Sequence, residues 1–277
     1  MKRETKKAIK RTAIAVPVFA VLFVFIPWVT LFFIACGLID VGRNKGKTRL
    51  MYRRYFFGNG IPTWLLSPFN LAVDLFSKRN PGLHTLDDFP DEYRGEIEAV
   101  LDTFKERKDD IIADIDAALG DSKRGMYVYR WFGKRQIENI DALNGDFKYL
   151  KTIAVSVFSG KESTTWHYGP LRLSYRILYN LTPVETDQIY IECNGKKHFW
   201  HEEPLYIFDD TLFHRSVNQL DSLRYCVFMD IARPSRFPGV IDFLLGFVSA
   251  VADRVKSMFY KNWRMIGAGT KAPAAGE

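Results

Sequence analysis

Cysteine is scarce: Cys36, Cys193 and Cys226 are scattered over 277 residues. They are too few and too dispersed for a disulfide framework or a cysteine-built zinc site. Also missing are a Gly-x-x-x-x-Gly-Lys-Ser/Thr phosphate loop, a Gly-x-Ser-x-Gly elbow and a His-Glu-x-x-His helix. Residues 42–48 mix glycine with lysine, but the spacing is wrong and no strand precedes them. No repeat or low-complexity segment is present. A Ser/His/Asp hydrolase stays open on residue counts, although nothing marks a nucleophile. Histidine is sparse too: His84, His167, His198, His201 and His214.

What is abundant is unevenly placed. Residues 1–80 carry 14 Lys/Arg against 3 Asp/Glu, residues 81–232 carry 18 against 26, and residues 233–277 carry 7 against 3. A nucleic-acid binder usually has its basic patch on the folded domain. Here the centre is acidic and the flanks are basic, so nucleic acid is not an expected partner.

Hydrophobic residues explain the flanks. Thr12 to Ile39 is an uncharged run, longer than a signal peptide's apolar region and followed by Asp40-Val41-Gly42-Arg43 instead of a cleavage site. As one helix it would outreach a bilayer's hydrocarbon layer of about 30 Å. The run predicts a retained membrane segment over 1–42. Pro17 and Pro27 leave a kinked or re-entrant form open beside a full span. Six basic residues precede the run and six follow it (Arg43, Lys45, Lys47, Arg49, Arg53, Arg54), so loop charge does not orient it.

Two further stretches look interfacial. One runs from Ile61 to Phe76 with only Asp74 charged. The other, 236–266, sets Ile241, Leu244, Leu245, Val248, Val251, Val255 and Phe259 on one helical face ahead of Lys261, Trp263 and Arg264. Packing of that face on a globular core is the competing reading. Residues 43–84 read as a basic interfacial linker and 267–277 as a disordered tail.

The centre reads as a folded domain over 85–235. Residues 90–119 form an acidic amphipathic helical region with Tyr93, Ile97, Val100, Leu101 and Phe104 at helical spacing. From about 125 to 234 short strands are predicted at 126–132, 152–158, 173–181, 188–193, 205–208 and 224–231, separated by turn signals such as Asn194-Gly195. The fold class is therefore mainly β, a jelly roll or sandwich with flanking helices and an N-terminal membrane segment.

Of the histidines, His167 and His214 carry the most information. His167 opens a Gly-Pro turn ahead of a strand bearing Arg172 and Arg176, and Arg224 lies ten residues after His214 on the next strand. Two neutral imidazoles on facing strands can bind Fe(II) and leave positions open. An arginine deeper in a barrel can hold a carboxylate by two parallel bonds. The spacing by itself leaves metal binding open. His198 and His201 read as surface hairpin residues, His84 as solvated, and Asp209 and Asp210 as turn and strand-end residues.

From Thr152 to Pro234 the chain resembles the aspartyl/asparaginyl β-hydroxylase family, Fe(II)/2-oxoglutarate oxygenases on a double-stranded β-helix. The resemblance rests on His167-Tyr168-Gly169-Pro170, Arg176, the segment Ile207-Phe208-Asp209-Asp210-Thr211-Leu212-Phe213-His214, and Arg224 on a strand ending Asp230-Ile231-Ala232-Arg233-Pro234. Asp74–Lys78 and Leu86–Pro90 are similar to bacterial lipid A 2-hydroxylases, which share the apolar N-terminus. The resemblance implies His167 and His214 as metal ligands and catalytic residues. It implies Arg224, with Ser156 and Arg176, as contacts of 2-oxoglutarate. Gly169 stands where many such oxygenases carry a carboxylate ligand, and Leu178 where the family commonly has histidine.

The implied activity is hydroxylation of a bacterial lipid acyl chain, of lipid A or an ornithine-type lipid, with Fe(II), 2-oxoglutarate and O₂. Expected partners are the bilayer and its lipid; the sequence does not give the oligomeric state. The expected location is the bacterial inner membrane, with the domain facing the cytoplasm, where iron and 2-oxoglutarate are supplied and unpaired cysteines persist. A peptidyl Asp/Asn β-hydroxylase and a non-catalytic membrane-anchored β-barrel are the alternatives; the long apolar segment favours lipid.

Overall fold

The computed structural model describes residues 3–59, 63–120, 122, 124–259 and 264–267. The expected disordered tail falls, from residue 268 on, outside them.

Side-chain alternation builds the core. Strand β10 (Arg224–Ala232) sends Tyr225, Val227, Met229 and Ile231 to one apolar cluster and Cys226 and Phe228 to another. It lies between β4 (Leu150–Phe158) and β5 (Ser174–Asn180), antiparallel to both. The larger sheet runs β1 (Leu83–His84), β8 (Leu205–Phe208), β5, β10, β4, β2 (Arg124–Trp131), β11 (Arg264–Ile266), with β3 (Lys134–Arg135) paired to β2. A smaller sheet runs β7 (Lys196–Phe199), β6 (Ile189–Cys193), β9 (His214–Asn218).

Between the sheets lie Met126, Val128, Ala154, Leu178, Phe208 and Phe228 from the larger one, against Ile189, Ile191 and Cys193 from the smaller. The other face of the larger sheet is covered by α5 (Asp91–Glu106) and α6 (Lys108–Leu119), the predicted acidic region broken at Arg107. All five apolar positions read there are buried. Each such side chain contributes about 1.5–3 kcal/mol, so this cover fixes the sheet's outer face.

The N-terminal apolar run is not one helix. It is divided at Ile26 into α1 (Arg3–Phe25) and α2 (Pro27–Val41), with Pro27 at the start of α2, where its missing N–H costs nothing. Thr30 Oγ1 donates to both Leu22 O and Ile26 O at 3.0 Å. Eight residues of straight helix rise about 12 Å, so this contact requires a sharp bend. Among the described residues no helix is long and apolar enough to cross a membrane. The expected membrane segment is therefore not supported as a single spanning helix, and the break falls at Pro27, one of the two prolines that left a kinked form open.

Residues 43–84 are largely folded. Helices α3 (Arg49–Phe57) and α4 (Ser67–Phe76) pack beside α2, and β1 joins the larger sheet through β8. Helix α7 (Pro238–Phe259) carries the face for which interfacial and core-packed readings were open. Ile241 and Leu245 are buried against Val73, Leu173 and Ala232, while Val240, Phe243 and Phe247 are exposed. Ile241 and Leu245 thus pack on the core, while Val251, Val255 and Phe259 of the same face lie outside the described side chains.

Candidate active site

Strand parity places the site. On β9, His214 and Ser216 pair with Cys193 and Ile191, whose side chains lie between the sheets, so both point inward. His167 lies on the segment along the other edge of β9. Its N–H donates to His214 O at 3.0 Å and its carbonyl accepts from His214 N at 3.1 Å. The two rings are held with centroids 4.2 Å apart.

Each ring is oriented by its own backbone. His167 Nδ1 lies 2.7 Å from Thr165 O and His214 Nδ1 lies 2.8 Å from Leu212 O. A carbonyl only accepts, so both Nδ1 atoms carry the proton and both Nε2 atoms keep a free lone pair. Burial lowers both imidazoles. His167 falls to about 4, against a rise from the Thr165 carbonyl, with Arg176 and Arg54 adding to the fall. His214 lies well below the ordinary value, through burial and the neighbouring His167. Both are therefore neutral at physiological pH, the state in which imidazole binds a metal.

Among the described residues no three His, Cys, Asp or Glu side chains are grouped to hold a metal ion. Gly169 shows why. A Cβ there would lie 2.3 Å from Asp210 Cγ, so the Asp210 carboxylate fills the space a side chain at 169 would need. Gly169 N also donates to Asp210 O at 2.6 Å. Asp210 is itself engaged by Arg176, whose Nη2 donates to its Oδ2 at 3.0 Å while Nε donates to Asp230 Oδ1 at 2.6 Å. Burial raises the Asp210 carboxyl to about 7; Arg176 opposes the rise, and Asp230 and Asp209 add to it. The donor set fits a metal held by two imidazoles.

Arg224 lies deeper, 2% exposed, between the Phe158 ring at 5.6 Å and the Trp200 ring at 4.8 Å. Its Nη1 donates to Ser216 Oγ at 2.8 Å, and its Nε is buried without an acceptor among the described residues. Ser216 is two residues past His214 on the same face, about 7 Å along the strand. A buried, incompletely satisfied guanidinium at that interval suits the far carboxylate of a five-carbon dicarboxylate. Ser156 is buried one strand over, its Oγ donating to Cys226 O at 3.1 Å. Ser156, Arg176, Arg224 and the histidines thus gather on the inner faces, although Arg176 is committed to two carboxylates.

Three readings of lesser residues change. His198 is half-buried and stacked on Tyr206 at 4.4 Å, with Nε2 buried and unpartnered among the described residues, whereas His201 is exposed as expected. His84 is on β1 and packs on Tyr175 at 4.2 Å. Asp209 is fully buried; burial alone would raise its carboxyl, but Arg172 and Arg43 outweigh that and hold it well below the usual range. Leu178 packs with Tyr206 and Phe228 between the sheets. His198 could not be singled out from sequence, because its β7 strand is only four residues long and opens with two lysines.

Residues 135–234 match the model of the aspartyl/asparaginyl beta-hydroxylase family, which contains every one of the five site residues. The similarity read from Thr152 to Pro234 is shown over that stretch. A curated relative is the ornithine lipid ester-linked acyl 2-hydroxylase of Rhizobium tropici, 27% identical over 164 residues, 54% of this chain and 57% of that protein. The match thus spans little more than half of the relative's length. Among solved structures, the chain is similar to a Cupin 2 conserved barrel domain protein from Salinispora arenicola CNS-205 (TM-score 0.30, 11% identity, 48% of this chain and 91% of that chain). Another is an oxidoreductase of the 2OG-Fe(II) oxygenase family from Burkholderia pseudomallei (TM-score 0.28, 10% identity, 45% and 79%).

Proposed function

We propose that this protein is an Fe(II)/2-oxoglutarate-dependent hydroxylase of a bacterial lipid acyl chain, working at a membrane surface on a jelly-roll barrel. The observation that carries the reading is the histidine pair: adjacent rings, both Nδ1 atoms committed to carbonyls and both Nε2 atoms free. His167 and His214 would hold the metal, and Arg224, with Ser156 nearby, would bind 2-oxoglutarate. Iron, 2-oxoglutarate and O₂ together supply the oxidising power to place one oxygen atom on an unactivated C–H bond, with succinate and CO₂ as the other products. The chain's own part is to orient the ligands, hold the dicarboxylate and exclude water. Arg176 holds the Asp210 carboxylate against Gly169, two residues from His167, and the apolar residues between the sheets keep the interior dry.

Lipid as substrate is supported by the surface. Phe25 is 77% exposed, Trp28 82%, Leu75 83% and Phe243 74%, with Val24, Phe32, Ile39, Phe237 and Phe247 also open. Helix α4 packs on α2 and, through Val73, on α7, so these residues belong to connected elements. Apolar exposure on this scale marks a membrane or partner surface. From Val41 to Val73 there is no acidic residue, while Arg49 and Arg53 are exposed on α3. Each basic side chain near an anionic bilayer contributes about 1 kcal/mol.

The bend between α1 and α2 suits a shallow or re-entrant attachment, with the domain at the cytoplasmic face of the inner membrane; the three buried, free cysteines are at ease in a reducing compartment. Comparative lipid mass spectrometry of deletion and overexpressing cells tests the substrate class. The overexpressing cells are expected to show a lipid heavier by one oxygen, located on an acyl chain, that vanishes on deletion. Identical lipid profiles in the two strains would argue against a lipid substrate.

A further inference from the structure

Each candidate ligand histidine has a neighbour whose backbone is gripped from the N-terminal segment. Asn44, just past the end of α2, accepts the Phe213 N–H on its Oδ1 at 2.7 Å and donates from Nδ2 to Val41 O at 3.1 Å. Asn59, past the end of α3, grips Tyr168 twice: its Oδ1 accepts from Tyr168 N at 3.1 Å and its Nδ2 donates to Tyr168 O at 2.7 Å. Phe213 precedes His214 and Tyr168 follows His167. The Phe213 and Tyr168 side chains pack with Val41, Met51 and Tyr55 in one apolar cluster.

Charges reinforce the same joint. Asp40 pairs with the fully buried Arg172, and its other oxygen accepts from Tyr55 OH at 2.7 Å. Arg172 Nη1 donates to Asp74 at 2.6 Å and its Nε to Thr211 Oγ1 at 3.2 Å. Arg43 Nη2 donates to Asp209 at 2.9 Å. Both ends of the histidine pair, 167–172 and 209–214, are thereby tied to residues 40–74.

We infer that Asn44 and Asn59 are positioning residues for the metal site, and that the segment from Asp40 to Asp74 belongs to the catalytic unit instead of serving as a detachable anchor. The inference rests on His167 and His214 being metal ligands. Asn59 has φ +68°, a left-handed conformation that asparagine tolerates and glycine adopts freely. Asn59→Gly therefore removes the clamp while leaving the backbone at ease.

The test uses the full chain in detergent micelles with Co(II) as the probe metal. It reads the Co(II) dissociation constant, the visible ligand-field bands, and the unfolding temperature of the metal-free protein. Loss of an outer-shell partner costs about 10- to 100-fold in metal affinity. Asn59→Gly and Asn44→Ala are each expected to weaken Co(II) binding by about tenfold or more and to shift the bands. Wild-type Co(II) affinity and bands in Asn59→Gly, whatever its unfolding temperature, would overturn the inference even if Asn44→Ala failed to fold. A wild-type chain that binds no Co(II) would instead overturn the reading of the histidine pair on which it rests.

Discussion

His214→Ala is expected to remove iron binding and turnover together while leaving the sheets assembled. Imidazole is the strong ligand the site offers, and no third metal-binding side chain joins the pair among the described residues. Losing a ligand must cost more than losing an outer-shell partner, so affinity should fall by more than about 100-fold. His167→Ala should behave alike. The wild-type pair should also keep its metal at a pH where a free imidazole, with its pKa near 6.5, takes up a proton. His167 is held at about 4, so proton competition there begins only as pH falls toward that value. Anaerobic iron titrations of wild type and both variants, with circular dichroism as the fold control, check this. Stoichiometric iron in either variant would defeat the assignment.

Arg224→Lys is expected to raise the 2-oxoglutarate requirement by about 10- to 100-fold, since a hydrogen bond to a charged group contributes about 1.5–3 kcal/mol and each 1.4 kcal/mol is tenfold. Lysine keeps the charge but is a point donor on a flexible stem, and it cannot reproduce the planar fork. The Nη1 bond to Ser216 and the position between Phe158 and Trp200 fix that fork in wild type. Lysine would lose both, so the effect should fall mainly on the 2-oxoglutarate KM. Succinate release measured against 2-oxoglutarate concentration gives the answer, and an unchanged KM would make Arg224 a packing residue.

Much of the β core was legible in the sequence, because period-2 alternation survives in strands with one face under helices and one between sheets. β2, β4, β5, β6, β8 and β10 fall where the apolar runs predict them. β9 did not stand out, although it carries His214 and Ser216: its sequence His-Arg-Ser-Val-Asn has one apolar residue, and its inward positions are the functional ones. The histidine pair and Arg224 were visible as residue types at suggestive spacing, and the family resemblance gave them roles. Asp210 was read as a strand-end residue, because only folding brings it against Gly169. In the apolar run at the N-terminus Pro27 marked a possible kink, but hydropathy averages through it, and the bend closed by Thr30 appears only in three dimensions. The Asn44 and Asn59 clamps span more than a hundred residues of sequence and leave no periodic trace.

Isotope transfer tests the central claim most directly. The full chain is placed in vesicles of bacterial lipid with Fe(II), 2-oxoglutarate and ¹⁸O₂, and both lipid and succinate are measured by mass spectrometry. The account predicts one ¹⁸O atom on an acyl chain for each succinate formed, with neither product when 2-oxoglutarate is omitted or His214 is replaced by alanine. Succinate formed without any ¹⁸O in the lipid, or lipid oxygenation that persists without 2-oxoglutarate, would contradict it.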